Sequence, residues 1–153
     1  MHRRPRLSLA AGALATLVTL AGCASAVPVE AAPEAADPLC AEVMVSLRSG
    51  GLDELADRPR RDTTAQSTAA WGDPPVLLRC GVPTPGPTTD ACVRVDGVDW
   101  VLDDSGERPV FTTYGRVPAV EVSFPPEDTS GSEAVLVQLG PLVEQLPQVR
   151  ECL

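Results

Sequence analysis

The stretch Cys92-Val93-Arg94-Val95-Asp96-Gly97-Val98-Asp99-Trp100-Val101-Leu102 decides the fold class. Asp-Gly is a favoured two-residue hairpin turn, because such a turn needs positive φ at both of its central positions. Centring the turn there forces a register in which Val95 faces Val98, Arg94 faces Asp99 and Val93 faces Trp100. Val93, Val95, Val98 and Trp100 then share one face, while Arg94 and Asp99 form a cross-strand ion pair on the other. The middle of the chain is therefore an antiparallel sheet.

The same period of two extends on both sides of the hairpin. Residues 76–80 read as a strand closed by Gly81, and the proline-rich run 83–90 reads as a loop. After the turn at Asp103-Asp104-Ser105-Gly106-Glu107, strands are expected at 110–114 and 119–124, the second with Val120, Val122 and Phe124 toward the core. Toward the N-terminus the period changes to that of a helix. Asp37-Pro38 supplies an N-cap and a proline at the first helical position, and Gly50-Gly51 supplies the stop. Between them Cys40, Val43, Met44 and Leu47 make one apolar stripe. Residues 52–55 read as a further helical turn, and 60–70 as polar and irregular. A second helix is expected from Ser132, with Leu136, Leu139, Leu142, Val143 and Leu146 inward and a kink or break at Gly140-Pro141. The expected architecture is small α+β: about four short antiparallel strands, with an N-terminal and a C-terminal helix packed on one face.

The first 22 residues carry a different message. His2, Arg3, Arg4 and Arg6 precede 14 mostly apolar residues, 7–20, and the segment closes on Leu20-Ala21-Gly22-Cys23. That order is a secretory signal, and its apolar run is short of the roughly 20 residues that span a bilayer as a helix. The residues before Cys23 fit a bacterial lipobox, in which the cysteine receives a diacylglycerol and becomes the new N-terminus. Lipidation at Cys23 places the protein on the extracytoplasmic face of the cell membrane, and without acylation it is secreted. Residues 23–37, rich in Ala, Pro and Glu, read as a tether reaching up to roughly 40 Å from the bilayer. Residues 38–153 form a single globular domain.

Cleavage before Cys23 leaves nine Arg and no Lys against 21 acidic residues, a net charge of −12. Such a surface repels nucleic acid and anionic lipid headgroups, so the expected partners are membrane lipid through Cys23 and an envelope protein or wall component. Cys40, Cys80, Cys92 and Cys152 are an even number in a chain bound for an oxidising compartment, so two disulfides are expected. Cys80 with Cys92 across the proline-rich loop, and Cys40 with Cys152 between the terminal helices, is the favoured one of three connectivities. A zinc site fits poorly, because the cysteines form no C-x-x-C pair and the processed chain has no histidine.

The only histidine, His2, is lost with the leader. Its loss removes Ser-His-Asp and Cys-His chemistry, and the absence of lysine removes Lys Schiff-base chemistry. No catalytic residue and no cofactor is expected. Carboxylates remain, and Asp73, Asp103, Asp104 and Glu107 are the nearest to a glycosidase pair, but 103–107 has the composition of a solvated turn. Neither the calcium-loop spacing nor a glycine-rich phosphate loop occurs. Arg58, Arg60 and Arg61 are the basic cluster of an acidic chain, suited to docking an anion but equally at home in a solvated loop. Trp71, beside Gly72-Asp73-Pro74-Pro75, either plugs the core or presents a flat binding surface, the first being the commoner fate of tryptophan.

Three segments together, Trp71-Gly-Asp-Pro-Pro-Val-Leu-Leu-Arg-Cys-Gly-Val82, Val95-Asp-Gly-Val-Asp-Trp100 and Phe111-Thr-Thr-Tyr-Gly-Arg-Val-Pro-Ala-Val-Glu-Val122, resemble an actinobacterial family of small exported proteins known only as a domain of unknown function. The resemblance spans most of the processed domain, implies export, and carries over no catalytic residue. The leading functional expectation is a non-catalytic lipoprotein that binds or scaffolds an envelope component, with Trp71, Arg79 and Arg116 as its contact surface. The alternatives are a carboxylate-based hydrolase of wall glycan and a small-ligand or lipid carrier.

Overall fold

The hairpin forms in the register its sequence dictates. In the computed structural model, which describes residues 25–126, 128 and 131–152, β5 (Ala91–Val95) pairs with β6 (Val98–Asp103) through Val95 with Val98, Arg94 with Asp99 and Val93 with Trp100. Asp96 and Gly97 both have positive φ, as the turn requires. Val98 and Trp100 are fully buried. Cys23 and the leader, and with them the acylation expectation, lie outside the described residues.

Around the hairpin the sheet is larger than the sequence pattern predicts, eight antiparallel strands rather than four. β1 (Glu54–Leu55), β2 (Arg58–Arg61), β3 (Thr68–Trp71) and β4 (Val76–Val82) form one meander. β5, β6, β7 (Val110–Thr113) and β8 (Ala119–Ser123) form a second. The two join where β4 pairs with β8, giving the order β1-β2-β3-β4-β8-β7-β6-β5. The missed strands carry no alternation that sequence can register. β2 is Arg-Pro-Arg-Arg, and all four residues of β3 are buried, so neither shows the in–out pattern of a half-covered strand. Pairing with β4, not intrinsic preference, makes them strands.

Helix α1 (Pro38–Ser49) starts and stops where its caps predict, with the Asp37 side chain accepting from the Leu39 amide. Helix α2 (Ser132–Val143) runs through Pro141 without breaking into two: the proline removes the one amide that would bond back to Val137, while the Glu144 amide still donates to the Gly140 carbonyl at 2.8 Å. Cys40, Val43 and Leu47 of α1 join Val135, Leu136, Leu139 and Val143 of α2 in one core with Trp71, Leu78, Trp100, Val120 and Val122 of the sheet.

The cysteines pair as Cys40–Cys80 and Cys92–Cys152, which overturns the expected Cys80–Cys92 and Cys40–Cys152 staples. The reason is strand order. Three strands separate β4 from β5, so at about 4.8 Å per strand Cys80 and Cys92 stand roughly 19 Å apart, far outside disulfide reach. The proline-rich loop is a crossover to the far edge of the sheet rather than a hairpin turn. Its eight residues, 83–90, can reach about 27 Å when extended.

Residues 25–37 are also not a free tether. Val27 bridges to Thr63, its amide donating to the Asp62 carbonyl at 2.8 Å, and the Thr64 amide returns a bond to the Val27 carbonyl. Further along, Ala32 and Ala35 are buried against Val82 and Ala119. Gly81 makes this passage possible. It holds φ +92°, and a Cβ there would lie 2.4 Å from the Glu34 backbone. The Ala/Pro composition that reads as a linker is a strip of small side chains that fits closely against the sheet.

Candidate functional site: an arginine-lined cleft

Of the three residues expected to form a contact surface, two are inside the protein. Trp71 is fully buried, and its Nε1 donates to the Leu52 carbonyl at 2.9 Å. Arg116 is only 5% exposed, and its Nη1 donates to the carbonyls of Glu144 and Leu146 just beyond α2. It holds the C-terminal segment to the sheet. Arg79 lies on the sheet face opposite the core cluster and is paired there with Glu121 through two bonds of 3.0 and 3.1 Å. The sequence motif around Trp71 therefore marks packing, not recognition.

The arginine cluster is the more informative feature. Arg58 is committed, pairing with Asp128 and donating to the Ala56 carbonyl. Arg61 is held loosely, 3.6 Å from exposed Asp73 and 3.4 Å from the carbonyls of Gly72 and Ser25. Arg60 differs from both. Its guanidinium lies over the Trp71 ring, 5.6 Å from the centroid, and its Nη1 is buried with no hydrogen-bond partner among the described residues. Burial lowers its pKa, and the positive charge of Arg48 lowers it further, against the opposing pull of Asp53 and Asp62.

Arg48 comes from the last turn of α1, where a cation complements the helix end. Neither Arg48 nor Arg60 forms a salt bridge among the described residues. The two face a cleft of about 310 Å³ between α1 and the β2–β3 connection, lined also by Arg61, Asp62, Gln66 and Ser67. A neighbouring hollow of about 260 Å³ is lined by Ser25, Arg60, Arg61 and Asp62. Among the described residues three other buried donors lack partners, Trp100 Nε1, Arg108 Nε and Arg116 Nε, but none belongs to a residue lining these hollows.

A guanidinium whose charging is opposed by burial and by a neighbouring cation, and which has an unmet N–H, makes a site that an oxyanion relieves. Its oxygens would accept from the planar donor forks while its charge cancels the mutual repulsion. Sequence reasoning located Arg60 and Arg61 but missed Arg48, which comes from an element 12 residues away and carries no local mark beyond its place in a last turn.

The acidic candidates are arranged differently. Asp103 accepts from the hydroxyl and amide of Ser105 in a turn, and those bonds lower its pKa. Asp99, the 1% exposed partner of Arg94 and not one of those candidates, is likewise held low, first by the Arg94 side chain and also by the Cys152 amide. A glycosidase proton donor needs the opposite shift.

The model of one protein family, described as a protein of unknown function (DUF3515), matches residues 8–150. The chain belongs to this DUF3515 family. No curated protein and no solved structure matches it. For this DUF3515 protein, the arginine cleft is the feature of the surface that geometry and charge single out.

Proposed function

We propose that this DUF3515 chain is an exported lipoprotein, anchored through Cys23, that serves as a non-catalytic binding module of the cell envelope and takes an oxyanion in the cleft of Arg48 and Arg60. The observation that carries the reading is the Arg60 Nη1, without a partner among the described residues, beside a second guanidinium that forms no salt bridge among them. The chain's chemistry supports binding over turnover. Processing at Cys23 leaves neither imidazole nor lysine amine, and the four remaining cysteines are tied in disulfides.

Calorimetric titration of the full chain with inorganic phosphate tests the cleft. Saturable binding is expected, weakened roughly tenfold or more by Arg60→Gln, since a charge-assisted hydrogen bond contributes about 1.5–3 kcal/mol. Undiminished binding in that variant would remove the cleft as the site. The anchor is tested separately: Cys23→Ala is expected to abolish metabolic incorporation of radiolabelled palmitate and release the protein from the membrane fraction.

A further inference from the structure

Ser25, two residues after the proposed anchor, lines a hollow with Arg60 and Arg61. We propose that the cleft is seated on the bilayer surface and that its oxyanion is the phosphate of an anionic lipid headgroup. This rests on the reading of Cys23 as acylated.

The first support is reach. A free 14-residue tether would let the domain roam, but the chain is held to the domain from Val27, which is buried and bonded into the residues that follow β2, and exposed Ser25 just before it makes a looser 3.4 Å contact through its carbonyl with Arg61. Only two residue steps separate Cys23 from Ser25, at most about 7 Å of chain whatever their conformation. The headgroup zone on each side of a bilayer is roughly 5–8 Å thick. A diacylglycerol on Cys23 therefore brings Ser25 to the level of the lipid phosphates, and Ser25 itself lines a hollow with Arg60 and Arg61.

The second support is the placement of charge. The net charge of −12 argues against an anionic lipid partner only if charge is spread evenly. The larger cleft is lined by three arginines and one acid, Asp62, with Asp53 close to Arg60 and Asp73 close to Arg61. Asp90, Asp103 and Asp104 line a different hollow, at the far edge of the sheet beside β5 and β6. Five strand spacings, roughly 24 Å, separate β2 from β6, more than twice the Debye length of about 10 Å at 0.1 M salt. Those acids are screened from lipid that touches the arginine edge. The covalent anchor also makes the encounter intramolecular, so even a weak phosphate site is filled.

Arginine footprinting with phenylglyoxal, read by mass spectrometry on the full acylated chain, tests this directly. The protein is reconstituted in vesicles of phosphatidylcholine alone or with one-third phosphatidylglycerol. Modification of Arg48 and Arg60 is expected to slow at least about fivefold when phosphatidylglycerol is present, with exposed Arg94 unchanged. Inorganic phosphate added to the phosphatidylcholine vesicles at matched ionic strength should protect far less. Equal rates in the two vesicles would overturn the proposal, as would full protection by free phosphate, which would assign the cleft to a soluble anion. The same spectra report the mass of the Cys23 peptide. An unmodified Cys23 would overturn the lipid seat together with its anchor, while protection of Arg60 by phosphate would still uphold the cleft.

Discussion

Gly81 shows how one residue links a terminal segment to the sheet. Replacing it with alanine forces a side chain into positive φ and against the Glu34 backbone. Gly81→Ala is expected to lose about 2–4 kcal/mol in urea denaturation and to make residues 27–36 sensitive to protease before the rest of the domain unfolds. A loss below 0.5 kcal/mol would mean that the strip is not held at this point. Asp99 is the second such residue, a buried carboxylate that takes two bonds from Arg94 and one from the Cys152 amide. Its pKa is depressed in the fold, so its stabilisation is complete above the unfolded carboxyl pKa of about 3.9 and is lost as pH falls through the lower folded value. Asp99→Asn should cost about 2 kcal/mol at pH 7, and its gap from the wild-type protein should close only below about pH 4. A gap that closes between pH 7 and pH 5 would assign the effect to another group. The Arg94–Asp99 pair was legible in the sequence, because a two-residue turn fixes cross-strand neighbours. The contact with Cys152 was not, since it joins residues 53 apart.

Among the elements, the two disulfides divide the labour. Cys40–Cys80 fastens α1 to β4 with both cysteines fully buried, whereas Cys92–Cys152 fastens the C-terminal segment to the edge strand β5, where Cys92 is exposed. Loop-closure entropy does not separate them, since loops closed over 40 and 60 residues both correspond to about 4 kcal/mol. Burial does. Reducing agent is expected to open Cys92–Cys152 first, leaving a folded core, and Cys40→Ala with Cys80→Ala should destabilise more than Cys92→Ser with Cys152→Ser. Non-reducing peptide mapping should recover 40–80 and 92–152 linkages; any 80–92 peptide would contradict the strand order. α1 was readable from its N-cap and its stripe because every signal lies within a turn or two. β2 and β3 were not, because their strand character comes from a neighbour in the sheet.

At the scale of the whole molecule, the N-terminal strip belongs to the domain. Deleting residues 25–36 from a true tether would leave the melting temperature unchanged. Here it uncovers Val82 and Ala119 and removes the bonds to Asp62, Thr64 and Gly81, so a fall of several degrees is expected in calorimetry. An unchanged melting temperature would restore the tether. The sequence by itself determined what depends on near neighbours: the hairpin register, the limits of α1, the α+β class, and the absence of lysine with a single histidine at position 2. Tertiary structure alone decided the eight-strand order, the cysteine partners, the burial of Trp71 and Arg116, and the meeting of Arg48 with Arg60. The physical reason lies in the path of one loop. Periodicity reports which face of an element is apolar, but residues 83–90 fold back or cross the sheet according to the packing available at its far edge. That choice sets which distant residues meet.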